Sequence, residues 1–87
     1  MEVHLQHQIP EDNMDRFYSV SITKSLFGNP GVERRWGRVG TRGQMRLDWY
    51  DTMTAALDAL AALVSSKQRT GYTSTNSTGS SSNSESD

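Results

Sequence analysis

The chain has no cysteine. Disulfides, thiolate metal sites and cysteine nucleophiles are therefore excluded, and the composition suits a reducing compartment. It has no apolar stretch of leader type near the N-terminus and no run long enough to span a bilayer. The expectation is a soluble, cytoplasmic protein. "NST" at 76–78 matches a glycosylation sequon and carries no weight in that setting. Histidine is scarce too. His4 and His7 are three apart, so on a strand they point to opposite faces. No cysteine or carboxylate cluster completes a zinc site around them. Glu11 and Asp12 fall in an expected loop, and no nucleophile–base pair is visible. Neither a metal, a cofactor nor an enzyme is expected.

The last stretch, "TSTNSTGSSSNSESD" (73–87), lacks any apolar residue. It cannot bury enough surface to offset its ordering entropy, so a disordered tail is expected there. Residues 1–72 are left to form one small domain. A domain of that size buries only roughly 60% of its unfolded surface, which argues against a deep enclosed cavity.

Charge is nearly balanced overall, at −1, but it is not evenly spread. All nine Lys and Arg lie between Arg16 and Arg69. Within 14–72 the acids are Asp15, Glu33, Asp48, Asp51 and Asp58, so that segment carries nine minus five, or +4. A basic centre with acidic ends is a charge asymmetry that the mean conceals.

Periodicity predicts the elements. "VHLQHQI" (3–9) and "FYSVSITK" (17–24) alternate as strands, the second with Tyr18, Val20 and Ile22 on one face. "PEDN" (10–13) reads as a turn, and "FGNPG" (27–31) as another, with Pro at its second position and Gly at its third. Strands follow at 32–39 and 44–50 around a tight turn at "GTRG" (40–43). On the last strand Met45, Leu47 and Trp49 share a face and are read as core. From Asp51 the period becomes helical. Met53, Leu57, Leu60 and Val64 form the expected core stripe, among many alanines. Asp51 or Thr52 caps the start, and Gly71 stops the helix after Lys67 and Arg69. Few cations lie opposite the stripe, unlike a helix built to lie in a membrane surface. The fold class is α+β: an antiparallel meander of three to four strands with one helix on one face.

"VERRWGRVGTRG" (32–43) sets one tryptophan among four arginines. On a strand Val32, Arg34, Trp36 and Arg38 share one face, and Glu33, Arg35, Gly37 and Val39 the other. Neither is a clean core face. Trp36 and Arg38 lie roughly 6.6 Å apart on one side. One offers a π surface and the other a bidentate phosphate donor, the pair that an unstacked nucleotide end requires. Gly37 removes a side chain from the opposite face and admits a close neighbour.

"RRWGRVGTRGQ" resembles the WGR domain, the family named for Trp-Gly-Arg. "RFYSVSI" is similar to its first well-marked strand, and the Ala/Leu helix followed by "KQRTGY" to its helix and closing segment. "DNMDRFY" and "SLFG" are similar to short bacterial members that stand alone. The resemblance covers residues 3–72. In the family's poly(ADP-ribose) polymerase members the domain recognises DNA breaks, and the catalytic domain is a separate unit with no counterpart here. The resemblance implies that Trp36 stacks on a terminal nucleotide and that Arg38 contacts phosphate or a neighbouring domain. Gly37, Arg34, Arg35 and Arg42 complete the candidate nucleic-acid-binding set. The function expected is recognition of DNA ends, nicks or junctions. The alternative is a protein–protein module docking an acidic or phosphorylated partner through the same face.

Overall fold

A computed structural model describes residues 1–75; the part of the expected tail from 76 onward lies outside the described residues. Five strands and one helix follow in the order β1 (Glu2–Ile9), β2 (Met14–Lys24), β3 (Pro30–Arg38), β4 (Gln44–Trp49), α1 (Met53–Arg69) and β5 (Thr73–Ser74). The sheet is antiparallel, in the order β4-β3-β2-β1-β5. The meander and its helix are as the periodicity predicts. Beyond them, the stretch expected to begin the tail contributes Thr73 and Ser74, paired with Gln6 and Leu5 on the outside of β1.

Turn chemistry places the strands. Pro10–Asp12 make a 3-10 turn closed by Asn13 in the left-handed region. The β2–β3 turn lies earlier than "FGNPG" suggests. The Ser25 hydroxyl accepts from the amides of Phe27 and Asn29, and Gly28 takes a φ of +86°. The chain has thus already reversed before Pro30, which opens β3 as a first strand residue, where its missing N–H is tolerated. Pro30 and Gly31 are strand residues, not turn residues.

Leu5, Tyr18, Val20 and Val32 from the sheet and Ala56 and Leu60 from α1 form the buried core. Each aliphatic side chain removed from water contributes about 1.5–3 kcal/mol. The Thr52 hydroxyl caps α1 by accepting from the Ala55 amide. The stripe facing the sheet keeps Leu60 and Val64 as expected and differs at its N-terminal half. Ala56, Leu60, Leu63 and Lys67 follow one another at helical spacing, while Met53 and Leu57 are exposed. Ala56 is fully buried, so the helix backbone approaches the sheet where a larger residue would hold it off.

One assignment on the sheet reverses. Met45, Leu47 and Trp49 pair with Arg35, Glu33 and Gly31, which places them on the face away from the helix. They are 54%, 36% and 50% exposed and are not core. The alternation was read correctly. With a single helix to cover the sheet, only one face becomes interior, and β4 presents Arg46 and Asp48 to that side.

Candidate nucleic-acid interface

Val32, Arg34 and Trp36 lie in a row on the helix side of β3. Register sets them beside Ile22, Val20 and Tyr18 of β2. Val32 is fully buried, whereas Arg34 and Trp36 are part-exposed at the edge of the helix cover. The row therefore runs from core to rim, which accounts for a strand face mixing apolar and cationic side chains.

At the rim is an open cavity of about 410 Å³ lined by Tyr18, Arg34, Trp36, Leu63, Ser66 and Lys67. The Arg34 guanidinium carbon stands 5.9 Å from the centre of the Trp36 ring, within cation–π range. From above, Lys67 Nζ is 4.9 Å from the Tyr18 ring centre and 5.6 Å from that of Tyr72. A Schellman motif sets this up: Tyr72 N donates to Lys67 O, and Gly71 N to Gln68 O. Gly71 has a φ of +109°, and a Cβ there would come within 2.9 Å of the His7 ring. Only glycine suits the position that turns Tyr72 back toward Lys67 and Tyr18.

Two buried polar atoms belong to the lining residues, the Tyr18 hydroxyl and Arg34 Nε, and each has the other's side chain as a near polar neighbour. Burial raises the Tyr18 pKa by penalising the phenolate, and the nearby Arg34 guanidinium opposes that shift. Arg34 is held at its other end, where Nη2 reaches Asp48 at 3.4 Å. Asp48 also takes Arg46 Nε at 3.2 Å, so one carboxylate bridges the two arginines set opposite each other on β3 and β4. A guanidinium and an ammonium beside an aromatic ring make a pocket suited to an anionic group with a flat apolar part.

One step further along the sheet, register aligns His7, Arg16 and Arg38 across three strands. Alternation puts all three on the Trp36 side. Arg38 thus lies where Trp-Gly-Arg spacing requires, and Arg16 beside it was not singled out by sequence. The Arg16–Arg38 pairing depends on the β2–β3 register, and no motif announces it. In the sequence Tyr18 is marked only as a strand residue, and Lys67, Arg69 and Tyr72 only as a cluster at the helix end; the helix position brings Lys67 and Tyr72 to the Tyr18 ring.

Gly37 and Arg35 point the other way. A Cβ on Gly37 would stand 2.7 Å from Gly43 Cα. The neighbour it admits is therefore the β3–β4 turn, with the Phe17 ring next to it. Gly43 has a φ of +71° and packs on the Trp36 carbonyl. Arg35 is half-exposed on the open face with Glu33 at 3.8 Å, away from the cavity. Arg42 is exposed in the turn. The structure thus brings together Arg34, Trp36 and, along the sheet, Arg38; it separates Arg35 from them.

Among the described residues no helix is long and apolar enough to cross a membrane, and no cluster of three metal-ligating side chains occurs. An uncharacterized protein, y4dW, of Sinorhizobium fredii is 34% identical over 70 residues, covering 80% of this chain but 34% of its own length. This chain thus spans about a third of that relative. No solved structure matched. The family model for the WGR domain matches residues 1–79. The chain belongs to the WGR-domain family, whose domains are nucleic-acid-binding modules rather than catalytic ones.

Proposed function

We propose that this protein binds DNA at ends, nicks or junctions, with a terminal nucleotide entering the cavity between Trp36 and Lys67. The observation that supports the reading is the open cavity that sets the Trp36 ring beside the Arg34 guanidinium and the Lys67 ammonium. The Arg34 guanidinium and the Lys67 ammonium take a phosphate, and the Trp36 ring takes a sugar or base face. Arg38 and Arg16 continue the positive track toward the following phosphates. An intact duplex keeps its bases stacked and presents no such end. Base-edge readout is not built in, because α1 meets the sheet with alanine and leucine and offers no row of base-reading side chains. The role is binding without catalysis.

Fluorescence anisotropy with short duplexes tests this, comparing 5′-phosphorylated nicked, blunt and hairpin-capped forms at two salt concentrations. Binding is expected to favour the phosphorylated end. Four phosphate contacts, from Arg16, Arg34, Arg38 and Lys67, give a log–log salt slope of roughly −3.6. Equal binding to capped and open forms sinks the end-recognition reading. A folded protein that binds none of them at low salt sinks DNA binding altogether.

A further inference from the structure

We infer that a second copy of this chain docks on the free edge of β4, joining two five-stranded sheets antiparallel about a two-fold axis at Leu47. β4 is an outer strand of the sheet. The amide of Tyr50 donates to Pro30 O at 2.9 Å. Ladder alternation then turns the backbone groups of Gln44, Arg46 and Asp48 toward β3. Those of Met45, Leu47 and Trp49 face outward. The same three residues carry the exposed apolar side chains of the open face. Among the devices that natural proteins use to blunt an edge, β4 has no proline, no lysine and no bulge in its register, and it carries inward-facing charges. Its two charges are Arg46 and Asp48.

Those charges select the register. Outward backbone groups occur only at odd positions, so a symmetric antiparallel partner must pair odd with odd. Centring the axis on Arg46 sets arginine against arginine, and centring it on Asp48 sets carboxylate against carboxylate. Centring it on Leu47 sets Arg46 opposite the other copy's Asp48, twice by symmetry. Met45 then meets Trp49, and Leu47 meets Leu47, each pair exchanging two backbone bonds. Arg46 is 62% exposed and uses only Nε on its own Asp48, leaving its terminal nitrogens for the partner. "MRLDW" thus matches itself in hydrogen bonds, apolar contacts and charge. One strand per protomer is a small contact, so the dimer is a weak one. Its apolar contacts lie on the face away from the Trp36 cavity, and its Arg46–Asp48 pairs lie on the cavity's face.

Sedimentation equilibrium of the full chain from micromolar to millimolar concentration is expected to show a monomer–dimer transition. A monomer throughout overturns the proposal. Arg46→Asp sets like charges opposite and is expected to weaken association roughly tenfold. Leu47→Pro removes an outward N–H that the monomer does not use, and is expected to abolish the dimer while circular dichroism stays unchanged; an undiminished dimer counts against the edge. The absence of cysteine supplies a register test that needs no disruption. Leu47→Cys is expected to cross-link to itself on mild oxidation, since hydrogen-bonded partners lie at about 5.5 Å, within disulfide reach. Arg46→Cys and Asp48→Cys, being out of register with themselves, are expected to cross-link slowly. Faster cross-linking at either of them overturns the proposed axis.

Discussion

Two tryptophans lie on opposite faces of one sheet. Trp36 is half-buried beside the core, under the end of α1, with Arg34 over its ring. Trp49 is half-exposed on the uncovered face, where its ring lies over Gly31 close enough to exclude a Cβ there. Apolar alternation marks the Trp49 strand as core and arginine neighbours mark Trp36 as surface, yet the helix covers the Trp36 side. Residue type alone did not decide which face is interior. The helix can cover only one, and Val20, Val32 and Leu5 on that side outweigh the arginines at its rim.

The comparison breaks most easily in the core. Leu5→Ala, on the covered face, is expected to lose about 2–5 kcal/mol in urea unfolding, while Leu47→Ala, on the open face, is expected to lose less than about 1 kcal/mol. Equal losses would mean that both faces are packed. Ligand affinity is the next test. Trp36→Ala is expected to weaken DNA binding by about 1–3 kcal/mol in anisotropy titrations, with Trp49→Ala unchanged at dilute protein. If Trp49 proves the sensitive one, the open face is the nucleic-acid face. Salt dependence then sharpens the picture within β3. Arg34→Gln is expected to reduce the magnitude of the log–log slope by about 0.9, and Arg35→Gln to leave it near the wild-type value.

The smallest effect is optical. Tyr18 should ionise above the ordinary phenol value because burial penalises its phenolate, with Arg34 partly compensating. A folded pKa raised above the unfolded one contributes stability that is complete below the unfolded value and is lost as pH rises through the folded one. Absorbance titration is expected to show a late phenol phase, and Tyr18→Phe is expected to abolish it.

Most of the fold was legible. The four main strands and the helix follow from periods of two and 3.6, and the Thr52 cap and Gly71 stop from local chemistry. The missed pieces depend on contacts between elements. Ser25 moved the β2–β3 turn by capturing two amides through its side chain. β5 forms because a terminal segment of threonine and serine, with no apolar pattern, meets an available edge at Leu5 and Gln6. The helix stripe holds at Leu60 and Val64 but not at its start, where Ala56 rather than Leu57 faces the sheet and permits a closer approach. Of the candidate site, Trp36 and Arg34 were legible as chemistry. Tyr18, Lys67 and Arg16 were not, since strand register and helix placement bring them there.

The contact between Gly37 and Gly43 bears on how the domain is redesigned. The three residues of Trp-Gly-Arg answer to separate demands: the ring to the cavity, the arginine to the end of the sheet, and the glycine to the turn folded beneath it. A library aimed at new ligands can vary positions 36 and 38 together with 16, 34 and 67. Positions 37 and 43 belong to the scaffold and must stay glycine, because a methyl group at either one drives the strand and the turn apart beside Trp36.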